Sequence, residues 1–324
     1  SDAGLPIIPG SEGVVEGEDA AVEMGSLIGY PVMIKAAAGG GGRGIRIAEN
    51  ETQIRDLFYA AGREAEAFFG SGGLYVEKYI ESPRHIEVQI LGDGKGNVIQ
   101  FGERECSIQR RHQKLIEESP SPGIGEDARR RIAALAVKGA ESIGYGSLGT
   151  MEFLVDRDEN VFFLEMNTRV QVEHTVTEMV TGLDLIKEQI KFQNVGSSAL
   201  FSDFVSLRGH AIECRINAED PENDFKPSPG EITFYHPPGG FGVRVDSHLY
   251  DGYVVPPYYD SLLAKIITWG ETREEARRRM KRSLSECIIE GIPTTIAFLI
   301  SVIEDPQFVS GSYDTSFLER FGKA

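Results

Sequence analysis

The 324-residue sequence holds three cysteines and one tryptophan, and no unbroken apolar run approaches the ~18 residues that a membrane helix needs. Cys106, Cys214 and Cys287 are too few and too scattered for a disulfide framework or a thiolate metal cluster. Positive charge is also short. Lysine and arginine total 33 against 50 acids, leaving a net charge of −17. That excess opposes non-specific nucleic-acid binding while leaving room for a local basic pocket. There is no internal repeat or low-complexity segment. The opening Ser1-Asp2-Ala3-Gly4 reads as neither an initiator methionine nor a signal or transit peptide. What is present is a globular composition, 41% hydrophobic. At ~100–200 residues per domain it predicts two domains.

Strands and helices alternate without a repeating unit, which predicts an α+β class. Residues 30–36 and 44–48 read as strands around a glycine loop. Asn50 opens a helix with Gln53 as capping partner, and Leu74–Ile80 and His85–Leu91 read as further strands. Residues 195–199 read as a linker. Beyond it Ala211, Glu213, Arg215 and Asn217 alternate along one strand. Thr272 and Glu275 cap a helix whose apolar face is Ala276, Met280, Leu284 and Ile288.

Two stretches carry chemistry. Gly39-Gly40-Gly41-Gly42-Arg43-Gly44 formally matches G-x-G-x-x-G, but a dinucleotide fingerprint must open a helix. Here Ile45-Arg46-Ile47 follows, which alternates like a strand. A mobile hairpin whose backbone N–H groups close over phosphates fits better, with Lys35 adding a point charge. The second stretch is the hairpin 151–167. If Arg157-Asp158-Glu159-Asn160 is its loop, Asp156 pairs with Val161 and Glu152 faces Glu165. Two bare carboxylates ~5 Å apart repel by about 3 kcal/mol at an effective dielectric near 20. Such an arrangement calls for a cation or a shared proton. Asn167 shares that face, so the set is all oxygen and suits Mg²⁺ or Mn²⁺ bridging phosphates. Continued alternation would align Glu165, Asn167, Arg169, Gln171 and Glu173, with Arg169 as an anion fork and Glu173 as a general base. The basic run Gln109–Lys114 would add anion contacts.

At these residues the sequence resembles the biotin carboxylase family of the ATP-grasp superfamily. The resemblance rests on many motifs in order. They are Pro31-Val32-Met33-Ile34-Lys35, the glycine loop, Glu77-Lys78-Tyr79-Ile80, Pro83-Arg84-His85-Ile86-Glu87 and the Arg104–Lys114 run. The Glu165–His174 run, Cys214-Arg215-Ile216-Asn217-Ala218-Glu219 and Gly239-Gly240-Phe241-Gly242-Val243-Arg244 complete them. The resemblance implies an ATP-grasp domain over residues 1–200, with a small lid subdomain at about 10–80 and a larger antiparallel sheet. A biotin carboxylase C-terminal domain at 201–324 follows. It implies that ATP phosphorylates bicarbonate to carboxyphosphate, which then carboxylates a ureido nitrogen of biotin.

By motif match, Lys35 and the lid glycines Gly40, Gly41 and Gly42 meet ATP phosphates. Glu77, Lys78, Tyr79 and Ile80 line the adenine, largely through backbone. His85 and Gln109 fall at the ribose, His112 near the phosphates, and Glu152, Glu165 and Asn167 at the metal. Lys114, Arg169, Gln171, the Val172 N–H and Glu173 match the bicarbonate pocket, with Glu173 as its base. Arg244 matches the residue stabilising the biotin enolate. Biotin would arrive on a carrier domain or protein, because no Met-Lys-Met biotinylation motif is present. The implied partners are that carrier, a carboxyltransferase and a second copy in a homodimer or larger complex, with no nucleic acid or membrane. The implied compartment is the cytoplasm, or a mitochondrial matrix or plastid. Members of the family begin with a further N-terminal nucleotide-fold domain, and this chain opens inside the ATP-grasp module. Two alternatives stand beside this reading: another ATP-grasp ligase of carbamoyl-phosphate type, and a non-catalytic nucleotide-binding or interaction fragment.

Overall fold

A computed structural model describes residues 3–38, 45–195, 199–202 and 205–321. The glycine loop 39–44, with Gly40, Gly41 and Gly42, lies outside the described residues, as does most of the linker. The lid is a three-stranded antiparallel sheet of β1 (Val32–Ala36), β2 (Ile45–Ala48) and β3 (Leu74–Lys78), in the order β2-β1-β3. Helices α1 (Glu18–Ile28) and α2 (Glu51–Phe69) cover it. Ala21, Val32, Ile34, Ile54, Ala61 and Val76 are fully buried between sheet and helices. Each large aliphatic side chain there stabilises by roughly 1.5–3 kcal/mol. Asn50 caps α2 by accepting the Gln53 N–H at 3.0 Å. The Gln53 side chain, however, reaches the Glu49 N–H at 2.7 Å, one residue before the cap.

The body is one eight-stranded antiparallel sheet. Its strands are β4 (Arg84–Gly92), β5 (Val98–Arg110), β6 (Gln113–Ser119), β7 (Leu148–Val155), β8 (Val161–Asn167), β9 (His210–Asn217), β10 (Val243–Ser247) and β11 (Leu262–Gly270). They lie in the order β10-β11-β9-β6-β5-β4-β7-β8. Strands from beyond the linker therefore extend the same sheet. A free β6 edge would leave ladder groups and buried charges unpaired, and β9 covers it. Helix α3 (Glu126–Ser142) packs Ile132, Ala136 and Ala140 against β4 and β7. Helix α5 (Leu185–Val195) packs Leu185 and Phe192 with Leu91, Phe101 and Leu148, while α6 (Arg273–Glu286) and α7 (Ile296–Glu304) pack Met280, Leu284, Leu299 and Val302 against β9 and β11. Ile288 is not on the α6 face expected for it. The helix stops at Glu286, and Ile288 sits 42% exposed in a short strand.

Residues 6–15 strap the lid to the body. Pro6 accepts the Phe163 N–H at 2.7 Å from β8, and Pro9 accepts the Lys78 N–H at 2.7 Å from β3.

Candidate active site

Side chains alternate across a strand, so opposed residues in neighbouring strands form rows. One row crosses four strands: Arg104 on β5 opposes Glu87 on β4, Glu87 opposes Glu152 on β7, and Glu152 opposes Glu165 on β8. The Glu152–Glu165 pairing is the expected one, reached by a different route. Val155 pairs with Val161, so the turn holds five residues rather than four. A bulge at Leu164 then restores the register.

The row needs cations, and Lys114 supplies the central one. Its Nζ lies 2.6 Å from Glu87, 3.3 Å from Glu152 and 2.6 Å from Glu173. Arg104 reaches Glu87 at 2.5 Å and Gln89 at 2.7 Å. Burial alone would push the Glu87 and Glu152 carboxyls up. Arg104 and Lys114 at Glu87, and His85 and Lys114 at Glu152, win and hold both at about 2. Burial would lower the Lys114 ammonium, but Glu87 and Glu173 hold it well above the usual lysine range. The grouping His85, Glu87 and Glu152 thus already has its cation.

His85 is fixed on both nitrogens. Its Nδ1 meets the Gln109 amide at 2.8 Å and its Nε2 meets Glu152 at 2.6 Å. Because the Gln109 amide donates, Nδ1 accepts and the Nε2–H donates to Glu152. Gln109 also donates to the Cys106 carbonyl at 2.7 Å.

The Asn167 amide donates to Glu152 at 2.8 Å and to Glu165 at 3.2 Å. A donor bridging two opposed carboxylates stands where a cation would sit. The residues therefore fit a hard divalent ion held by Glu152, Glu165 and the Asn167 carboxamide oxygen. Beyond Asn167 the expected alternation fails. β8 ends there, 168–173 turn, and Glu173 is the N-cap residue of α4 (His174–Thr181). Gln171 and Glu173 are consequently buried, while Arg169 stays exposed. Gln171 donates to Glu152 at 2.6 Å. Arg169 donates to Asn167 Oδ1 at 3.2 Å and lies at the mouth, outside the buried cluster. The Val172 carbonyl accepts from Lys265 at 2.6 Å.

Glu173 has a second cation, Arg215, 3.0 Å from its other oxygen. Arg244 is elsewhere. It forks onto Asp246 at 2.8 and 2.9 Å and donates to Glu178 at 2.6 Å. It lines a cavity of about 410 Å³ with Glu178, Met179 and Leu183. The guanidinium beside Glu173 is thus that of Arg215, carried by β9, and not that of Arg244, which was expected at the biotin enolate. The signal was in the sequence, since Glu213, Arg215 and Asn217 repeat the alternation that exposed the Glu165–Asn167 face.

On the lid, Lys35 pairs with Glu77 at 3.0 Å. Lys78 turns its ammonium to the Gly29 and Tyr30 carbonyls at 3.0 and 2.8 Å. The Tyr79 N–H donates to Pro31 at 3.1 Å, while Ile80 N–H has no backbone acceptor among the described residues. His112 is exposed at the tip of the β5–β6 turn, with φ +64. Its neighbours Arg110 and Arg111, expected on an anion, pair with Asp224 at 2.7 and 2.9 Å.

A small helix-backed lid sheet beside an antiparallel sheet bearing opposed carboxylates defines an ATP-grasp protein. Residues 1–197 match the model for the carbamoyl-phosphate synthase L chain ATP-binding domain, and 213–320 match the biotin carboxylase C-terminal domain. The biotin carboxylases of Nostoc sp. and Bacillus subtilis are 57% and 56% identical, over 99% and 98% of this chain and 72% and 71% of theirs. The Campylobacter jejuni biotin carboxylase, solved as a β-γ-ATP complex, superposes with a TM-score of 0.93 at 52% identity. That match covers 98% of this chain and 71% of that one. The biotin carboxylase domain dimer of Hydrogenobacter thermophilus 2-oxoglutarate carboxylase, solved with MgADP and bicarbonate, gives 0.90 at 49% over 98% and 70%. This chain belongs to the biotin carboxylase family. No helix among the described residues is long and apolar enough to cross a membrane.

Proposed function

We propose that the chain carries the ATP- and bicarbonate-dependent carboxylation of carrier-borne biotin. The observation that carries this reading is Glu173, a buried carboxylate whose two oxygens face two different cations, Lys114 and Arg215. A bicarbonate drawn in by Lys114, Arg215 and the Arg169 fork sits beside a base. Glu173 takes its proton, and the freed oxygen attacks the γ-phosphorus of ATP as the bond to ADP breaks. The product is carboxyphosphate, whose carboxyl group passes to the biotin ureido nitrogen as its bond to phosphate breaks, and the released phosphate takes the ureido N–H proton. A divalent cation on Glu152, Glu165 and Asn167 would neutralise phosphate charge when bound. Lys35, on the lid, would meet the phosphates, with the Ile80 N–H free for the adenine edge and His85 and Gln109 beside the ribose.

Arg215 takes the enolate-stabilising role expected of Arg244, because it is the guanidinium that shares the base. Arg244 instead supports the α4 end of the site through Glu178. The carrier, a carboxyltransferase and a second copy of the chain are the partners this function requires, in the cytoplasm or an organelle stroma or matrix.

ADP release with and without bicarbonate and free biotin tests the reading. Bicarbonate-dependent release that biotin stimulates is expected. Release that needs ammonia instead would show a carbamoyl-phosphate-type ligase, and nucleotide binding without release would show a non-catalytic module.

A further inference from the structure

Two charged groups beside the base have no task in this scheme. Glu117 on β6 and Glu213 on β9 oppose each other across the ladder, and both are fully buried. Glu117 Oε1 accepts from Arg215 Nε at 2.6 Å. Glu213 Oε2 accepts from the Thr175 hydroxyl, with the Lys265 ammonium at 3.9 Å. Glu117 Oε2 and Glu213 Oε1 are left over, buried and without a hydrogen-bond partner among the described residues. A buried oxygen with no donor costs about 1–3 kcal/mol, more when charged. Two such carboxylates facing each other add mutual repulsion. A single proton between them relieves both costs, because the acid O–H becomes the missing donor.

We propose that Glu117 and Glu213 form a dyad that carries one proton at neutral pH and thereby positions Arg215 toward Glu173. With the proton in place, Arg215 divides its guanidinium between Glu117 and Glu173. Removing it adds a negative charge on the Glu117 side, which draws Arg215 from the pocket and weakens bicarbonate capture. Both are positioning residues, and neither touches substrate.

The surroundings support this. Burial, then the Glu213 and Glu173 charges, push the Glu117 carboxyl up to about 8 against the opposing pull of Arg215. Burial likewise raises Glu213. The dyad faces Arg215 on β9, Lys265 on β11 and Glu173 at the head of α4. The nearby thiols are Cys106 on β5 and Cys214 on β9, which burial pushes well above the usual range, so they stay neutral. His174, on α4, is lowered by burial and by Lys265, so it carries no charge in the same window.

The role, though not the proton, rests on the function proposed above. Infrared spectra of the full chain against pH read the proton directly. A neutral carboxylic acid band is expected at neutral pH, disappearing as the pH rises through about 8 and missing from Glu117→Gln. Glu213→Gln, equally isosteric, should remove or shift the same band. Turnover at low bicarbonate should fall roughly tenfold per pH unit above that step, with the MgATP KM unchanged. Glu117→Gln should flatten that fall. A wild-type spectrum with no acid band, or a band untouched by both substitutions, overturns the dyad. A fall in turnover that persists in Glu117→Gln overturns the positioning role. A chain that turned over no bicarbonate would defeat the proposed function instead, with the infrared result standing on its own.

Discussion

The lid and the body use opposite means to hold their shape. Among the described residues, no buried polar or charged side chain precedes His85. The lid is an apolar layer of Val32, Ile34, Ala48, Ile54 and Val76, and its Lys35–Glu77 ion pair keeps about a quarter of each side chain in solvent. The body buries Glu87, Arg104, Glu117, Glu118 and Glu213 in its sheet and Glu173 at the head of α4. An apolar lid makes few directional bonds and can shift as a unit. A sheet laced by short ion pairs fixes each charge against the next, which is what a site needs when its transition state gathers negative charge. The difference teaches that in this chain the small sheet is held by apolar packing and the large one by paired charge.

The largest effect expected is at the base. Glu173→Gln should lower bicarbonate-dependent ADP release by ~10²–10⁴-fold with MgATP affinity nearly intact. A large loss of MgATP binding in calorimetry would defeat the role given to Glu173. Close behind, Arg215→Ala should raise the bicarbonate KM of the slow biotin-independent ATPase without abolishing it, and cripple biotin carboxylation. Arg244→Ala should act less strongly and lower both together, and the reverse ranking would return the enolate role to Arg244.

Breaking the body's charge row should also unfold it. Arg104→Met leaves Glu87 buried without its closest partner and should cost about 3–5 kcal/mol in urea denaturation. A cost below that of an ordinary surface change would mean the row relaxes freely. Acid tests the same material. Burial pushes Glu118 up, but His210 and Arg273 win and hold it at about 2. Its folded value lies below its unfolded one, so its contribution is present at neutral pH. It is lost as pH falls from the ordinary carboxylate range toward 2. Glu118→Gln should therefore flatten the acid limb of a thermal-stability profile. The smallest effect belongs to the lid, where Lys35→Met should change stability by about 1 kcal/mol or less while weakening MgATP binding. A large stability loss there would erase the contrast between the two regions.

Much of the fold and part of the site were legible in the sequence. The lid strands, the α2 cap at Asn50, the Glu152–Glu165 pairing and the α6 cap at Thr272 follow from local periodicity and capping chemistry. The pairing survived a miscounted turn only because the Leu164 bulge cancelled it. The straight run through Glu173 did not survive, since the chain turns into α4 and buries the residues that alternation had placed in line with Arg169. Arg215 and Glu87 were legible as strand residues and Arg104 only as part of a family motif, and none had an assigned partner.

By itself the sequence determined which residues are polar on which face of each strand, because side-chain direction has a fixed period of two. Which strands then stand beside one another was decided only by the tertiary structure. β6–β9 contact brings residues 98 positions apart, Glu117 and Arg215, within 2.6 Å. Charge needs a counter-charge within a few ångströms when water is excluded, and that requirement acts through space rather than along the chain.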